Sequence, residues 1–392
     1  MTDAVVAQAC WHTMQATPQT RWSFVELRDA QGRAGVGEAT LAQQELAMLR
    51  SFEALRPAVL ARMPVQVDVA SARSNATTRA EFAVISALDQ AVTDLAAQQR
   101  GLCVSEALGG RRRERIRAYA NINRSVGVRT PRAFADQARR AADEGFTAVK
   151  IAPLDGVELA GDARRNVDAA LLDVALARIA AVRAAIGPDV ELMVDCHWRL
   201  NRRVAESLID ALEPYRLHWL ECPLPECAEL LDDLCALRAR ANAVGVRLAG
   251  CETMSRVEGF LPYVRAGAYD VMMPDVKYVG GMREMLRVAR TLQRHDVAFS
   301  PHNPSGPVCH AASLQICAAA ARVERLEIQY RETPLFDALV DSALPGVVAG
   351  ESAIPRAPGL GVRLDAALLA AHRVALEEDG SASRVRPATG AS

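Results

Sequence analysis

The feature that most constrains this chain is a recurring pair: a short apolar run that ends in a polar residue, then a segment with helical spacing. The runs are "RAYANIN", "TAVKIAP", "ELMVDCH", "HWLECPLP", "RLAGCE", "DVMMPDV", "VAFSPHN" and "RLEIQY". The segments between them include "TPRAFADQARRAADE", "DVALARIAAVRAAIG", "CAELLDDLCALRARANAVG", "SRVEGFLPYVRAG" and "GMREMLRVARTLQRHD", with apolar residues at helical intervals. From the third run onward the period is roughly 25 to 30 residues, the spacing of a (β/α) barrel. A doubly wound open sheet alternates in the same way, but no GxGxxG turn follows an early run here.

The barrel pattern does not cover the whole chain. Residues 1–115 have a different character: "RWSFVELRDAQGRAGVGEAT" reads as two strands around a Gly-containing turn, and Ala80 to Gln99 reads as a helix. Residues 116–332 carry the barrel pattern, and 333–392 break it. In that last part "PGLGV" with "RLD" reads as a return onto the first domain, and "EEDGSASRVRPATGAS" reads as a disordered tail. With 392 residues, the chain is long enough for one barrel and a smaller domain.

Charge and cysteine usage exclude several classes. There are 46 basic and 47 acidic residues, so no nucleic-acid or membrane-surface footprint is present. "RRRER" at Arg111 to Arg115 reads as a solvated linker. No apolar stretch is long enough to span a bilayer, and the N-terminus lacks the regions of a signal peptide. Nine cysteines without a CxxC pair argue against a zinc cluster and for a reduced, cytoplasmic protein.

The chemistry is expected at the ends of the runs. There lie Asn121 or Asn123, Lys150, Asp195 with His197, Glu221, Glu252, Asp275, His302 and Glu327. In a barrel these ends converge on one face. Asp195, Glu221 and Glu252 come from consecutive runs, and three uncompensated carboxylates in one mouth would be costly. A hard divalent cation, Mg²⁺ by default, resolves the conflict; pairing of each acid with a local basic group is the alternative. Strand alternation predicts that Asp195 and His197 share a face.

These motifs, in this order, resemble the enolase superfamily, mandelate-racemase subgroup, and within it acid-sugar dehydratases of the galactonate and mannonate type. The resemblance rests on "GRAGVGEAT", "FTAVKIAP", "MVDCHWRL", "WLECPLP", "LAGCET", "MMPDVKYVGG", "FSPHNPSGPV" and "APGLGVRLD". It implies a modified TIM barrel, (β/α)7β, with an α+β capping domain to which the C-terminal segment returns. It implies Asp195, Glu221 and Glu252 as ligands of one Mg²⁺ per subunit. It also implies a dyad in which Asp275 orients His302 as the base, with His197 as general acid. Glu327 and Lys150 would flank the substrate carboxylate. Arg199, Asn123 and Trp22 are further substrate-contact candidates, with Thr17 to Arg21 as a covering loop by analogy. The expected partner is a small-molecule carboxylate, with no nucleic acid and no membrane, and a homo-oligomer is expected.

One departure separates reaction types. Racemases of the subgroup carry Lys-x-Lys on the second barrel strand, whereas this chain has Lys150-Ile151-Ala152. A two-base racemisation thus lacks a partner, and dehydration of a sugar acid to a 2-keto-3-deoxy acid is the expected reaction. The rivals are a 2-hydroxy-acid racemase or epimerase, a non-catalytic relative, and a Schiff-base aldolase using Lys150. Cys196, Cys222 and Cys251 read as packing. Lys277 faces either inward or into a rim salt bridge, and "YVGG" reads as a tight turn.

Overall fold

The computed structural model describes residues 6–61, 73, 75–157, 167–341, 344–376 and 385–387. The N-terminal part is an antiparallel sheet of β1 (Val6–Gln15), β2 (Arg21–Asp29) and β3 (Ala34–Glu38). β1 went unrecognised in the sequence. Its central residues alternate too weakly, and only its pairing with β2 makes it a strand. Against the sheet lie α1 (Glu45–Leu60) and α2 (Arg79–Gln99). A capping box of Thr78 and Glu81 starts α2.

α2 touches β3 at backbone distance. A Cβ on Gly37 would lie 1.9 Å from the Ala87 carbonyl oxygen, and one on Gly35 2.1 Å from that of Ala91. Glycines facing alanines permit this approach, and nothing larger would fit. After the short α3 (Val104–Ala107), Arg111 and Arg113 bond main-chain carbonyls at Ile354, Pro355 and the C-terminal end of a barrel helix. The basic run is therefore partly structural rather than simply solvated.

All eight runs form parallel strands: β4 (Arg115–Asn121), β5 (Ala148–Ile151), β6 (Glu191–Asp195), β7 (Leu217–Glu221), β8 (Arg247–Gly250), β9 (Val271–Met272), β10 (Ala298–Phe299) and β11 (Leu326–Gln329). β11 pairs with β4, and Glu324 N donates to Phe299 O at 2.8 Å, which joins the last strand to β10 and completes the ring. Among the described residues, seven α-helices connect the strands: α4 (Pro131–Asp143), α5 (Val167–Ile186), α6 (Arg202–Asp210), α7 (Leu231–Ala243), α8 (Arg256–Ala266), α9 (Met282–Arg294) and α10 (Pro307–Ala319). The fold is the (β/α)7β barrel with an α+β cap.

Inside the barrel, Tyr119, Ala148, Met193, Trp219, Ala249, Val271 and Met273 form one buried cluster. The larger core lies between strands and helices and includes Cys196 and Cys251. All nine cysteines are free. At the N-terminal ends of the strands the side chains are charge-balanced. Arg325 pairs with Glu191 at 2.8 Å, and Glu324 receives Arg247 at 3.0 Å and His218 at 3.1 Å.

The C-terminal segment runs back to the cap. Leu360 N donates to Asp94 of α2 at 2.8 Å, and Gln15 N donates to His372 O at 2.9 Å. Most of the tail read as disordered, residues 377–384 and 388–392, lies outside the described residues. Val385–Pro387 are a strand paired with Val374–Leu376, so this piece departs from that reading. Among the described residues no helix is long and apolar enough to cross a membrane.

Candidate active site

Asp195 and Glu221 end β6 and β7, and Glu252 follows β8 by two residues. Each offers an oxygen, and these oxygens all lie within 4.8 Å of one another. All three residues are buried, and Glu252 Oε2 has no hydrogen-bond partner. The interior Trp219 supports the group from below, its Nε1 donating to Glu221 Oε2 at 2.9 Å. Lys150 Nζ, fully buried, lies 2.6 Å from Glu221 Oε1, 2.9 Å from Glu327 Oε1 and 3.7 Å from Asp195 Oδ2.

This corner holds more negative than positive charge, and its titration shows the imbalance. Burial pushes the Glu221 carboxyl well up despite Lys150. Burial, with Asp195 adding to it, pushes Glu252 up to about 8. Asp195 goes the other way: burial opposes ionisation, but the charges of His197 and Lys150 outweigh it and hold the carboxyl low. The chain's own cations thus satisfy only part of the set. An all-oxygen donor group, buried and short of positive charge, with oxygens such as Glu252 Oε2 left without a hydrogen bond, fits a hard divalent cation.

Opposite stands the pair of Asp275 and His302. His302 Nδ1 lies 2.8 Å from Asp275 Oδ2, and Nε2 lies 3.4 Å from Glu252 Oε2. Burial raises the Asp275 carboxyl, but Lys277 and His302 together more than offset this and leave it lowered. Lys277 faces inward and is buried, 3.0 Å from Asp275 Oδ2. Glu327 accepts from Asn121 Nδ2 at 2.7 Å and from Asn303 N at 2.8 Å. Burial raises its carboxyl, and Lys150 foremost reverses the shift to leave it lowered.

His197 reaches the site by a different route from the expected one. β6 ends at Asp195, and His197 and Trp198 both have left-handed backbone, with φ of +46° and +57°. Strand alternation therefore does not place the imidazole; the turn does. His197 Nε2 lies 2.8 Å from Asp195 Oδ2, and Nδ1 lies 2.9 Å from Asp155 Oδ1. Burial lowers its basicity, but the two flanking aspartates outweigh this, and the imidazole is pushed up to about 11.

Asn121, Asn123, Lys150, Asp195, His197, Glu252, Lys277 and His302 line one cavity of about 960 Å³. The loop Thr17 to Arg21 lines it too, as expected. Trp22 does not: it is buried 1% exposed in β2 and meets Phe336 edge-on, because its strand position turns the indole into the core. Arg199 is not among the lining residues either; it is half exposed and bonded to Asp155 at 3.0 Å. Asn123 spends its carbonyl oxygen on Ala152 N and leaves its amide nitrogen unpartnered. Asp155, Lys277, Arg124, Arg129 and Glu332 contribute without having been assigned from the sequence. Only Lys277, two residues after a strand-end acid, carried a sequence signal.

Comparison with known proteins agrees with this architecture. Residues 1–109 match the mandelate racemase/muconate lactonizing enzyme N-terminal domain, and 133–368 match the enolase C-terminal domain-like family. A D-galactonate dehydratase of Ralstonia nicotianae is 32% identical over 365 residues, spanning 89% of this chain and 90% of its own length. A D-gluconate dehydratase of Thermoproteus tenax is 29% identical, spanning 90% of this chain and 71% of its own. A mandelate racemase/muconate lactonizing enzyme structure from Jannaschia sp. CCS1 superposes with a TM-score of 0.82 at 24% identity, over 97% of this chain and 99% of that one. With both of its domains matched, the chain belongs to the mandelate racemase/muconate lactonizing enzyme family of the enolase superfamily.

Proposed function

We propose that the protein is a Mg²⁺-dependent sugar-acid dehydratase that removes the proton α to the carboxylate, expels the β-hydroxyl and yields a 2-keto-3-deoxy acid. The observation that carries this reading is the placement of two histidines, each fixed at Nδ1 by its own aspartate, around one cavity that Asp195 and Glu252 of the acidic triad also line. Dehydration needs one group to take a proton and another to give one. The relatives named galactonate and gluconate dehydratases support the substrate class.

Asp195, Glu221 and Glu252 would hold the Mg²⁺, which supplies Lewis-acid stabilisation of negative charge developing on the substrate carboxylate. The remaining work falls to this chain's side chains. Asp275 accepts from His302 Nδ1, which leaves Nε2 with its lone pair to take the α-proton. Lys150, on the other side, places a fixed positive charge beside the carboxylate oxygens, where it acts more strongly in the transition state than in the ground state. Glu327, held by Lys150, Asn121 and Asn303, keeps that lysine oriented. His197, held at Nδ1 by Asp155, would deliver a proton from Nε2 to the leaving hydroxyl. The resulting enol tautomerises to the keto acid.

Racemisation is disfavoured by Ala152, which is fully buried where the subgroup's second lysine would stand. The substrate is a small carboxylate, and the protein is read as a cytoplasmic homo-oligomer. The test is turnover of D-galactonate, D-gluconate and a wider panel of sugar mono- and diacids with Mg²⁺, detecting keto product with semicarbazide. Keto product that disappears on chelation is the expected result. Substrate epimerised at C2 without keto product would overturn the reading.

A further inference from the structure

Neither half of the Asp275–His302 pair lies on a strand proper. β9 ends at Met272 and β10 at Phe299, so both residues sit on turns beyond them, joined by a single isolated bridge. Turns on a barrel rim need outside support to hold a hydrogen-bonded pair in place.

The cap supplies part of that support. Ser86, Asp89 and Gln90 share one face of α2, at i, i+3 and i+4. They meet the turn after Asp275: Gly280 N donates to Ser86 Oγ at 3.0 Å, Met282 N to Asp89 Oδ2 at 2.7 Å, and Gln90 Nε2 to Val276 O at 3.4 Å. Gly281 sits so close to Asp89 that a Cβ there would fall 2.4 Å from its carboxyl carbon. The turn after His302 is held separately, by Glu38 at the end of β3. Gly306 N donates to its Oε1 at 2.7 Å and Cys309 N to its Oε2 at 2.9 Å.

The two turns are thus fixed to different cap elements, and Lys277 ties one to the other. Its Nζ donates to Ser305 Oγ at 2.7 Å and lies 3.0 Å from Asp275 Oδ2, the oxygen that also faces His302 Nδ1. Its backbone N donates to Asp275 Oδ1 at 2.7 Å. The chain reverses here, with Val279 N bonded to Asp275 O at 3.0 Å, which folds the lysine side chain back over the carboxylate. Both Asp275 oxygens are therefore engaged by Lys277, and its ammonium reaches across to the neighbouring turn. Lys277, Ser305 and Asp275 are all buried, so these charge-assisted bonds have little competition from water.

We propose, on the dehydratase reading above, that Lys277 is a positioning residue of the base pair: its ammonium straps the Asp275 turn to the His302 turn and so aims the imidazole into the cavity. A displacement of about 1 Å at a reacting group can cost roughly 10²-fold in rate. Lys277→Met should therefore lower kcat by about that factor with KM for the acid unchanged. Ser305→Ala, which cuts only the far end of the strap, should lower kcat by a smaller factor, again with KM unchanged. Crystal structures of both variants should show His302 Nδ1 drawn away from Asp275.

Wild-type kcat and an undisturbed His302 in Ser305→Ala would overturn the proposal, and this variant decides the matter if Lys277→Met does not fold. A rise in KM with kcat retained in Lys277→Met would also overturn it, since that pattern marks a substrate contact. If the wild-type protein with Mg²⁺ turns over none of the acids, the dehydratase reading fails instead, and the variant crystal structures still judge the strap.

Discussion

The two ends of the barrel both carry charged side chains and treat them in opposite ways. At the N-terminal ends of the strands, Glu191 and Glu324 meet Arg325, Arg247 and His218, with Arg117 4.0 Å from Glu324. Each acid there has its own cation. At the C-terminal ends, Asp195, Glu221 and Glu327 crowd around Lys150, and Glu252 Oε2 beside them has no hydrogen bond. An end that balances its charge internally serves stability. An end that leaves charge unbalanced is completed by something from outside, and here a cation is what the donor set lacks.

The largest effect should follow from removing the added charge. Chelation is expected to abolish turnover, and Mg²⁺ to restore it; Glu221→Gln should weaken Mg²⁺ binding in calorimetry while the fold persists. Full activity of metal-free protein would break the contrast between the two ends.

Next in size is the base. His302→Asn should stop both keto-acid formation and exchange of the α-proton into deuterium oxide, followed by proton NMR. Exchange that persists would point to Lys150 as the acceptor.

His197→Asn should cut product formation by about 10²–10⁴-fold, the usual worth of a general acid, while α-proton exchange continues at a detectable rate. Recovered substrate should keep its configuration, because Ala152 provides no second base.

The smallest effect belongs to the balanced end. The Glu324 carboxyl is pulled down to about 2, chiefly by its hydrogen bond to His218, with burial opposing and Arg247 adding to the pull. A carboxyl lowered on folding contributes stability above its ordinary value near 4.5 and loses it as pH falls toward 2. Glu324→Gln should cost about 1–2 kcal/mol at neutral pH, less at pH 3, and leave kcat unchanged. A loss of activity without a loss of melting temperature would refute the division of labour between the ends.

Much of this was legible in the chain, and the reasons are specific. Asp195 and Glu221 close apolar runs, so the barrel geometry alone brings them together. Most of the barrel strands were visible because they are buried on both faces and read as short apolar runs, as in Glu191–Asp195 and Arg247–Gly250. Trp22 was misread because an aromatic beside a polar loop looks the same in sequence whether its strand turns it outward or into the core. His197 was placed near the metal corner for the wrong reason: two successive residues with positive φ cannot be foreseen from "DCHWR". Asp155 stayed hidden because it acts from a loop, where no period constrains which side chain points inward. α1 and α10 were missed as well; α10 is buried along almost its whole length and shows no polar face to mark it as a helix.

Glu38 has a further implication for how the protein can be divided. Its carboxylate, contributed by the N-terminal sheet, caps the first turn of α10, and Gly306 leaves it no slack, since a Cβ there would fall 2.8 Å from Oε1. The acidic triad draws all its members from the barrel, whereas the turn carrying His302 is held through a residue of the other unit. The two units are therefore not interchangeable modules. A cap grafted from a relative to alter substrate choice must bring an acid at this position and at this distance, or the graft will bind its cation and leave the proton where it is.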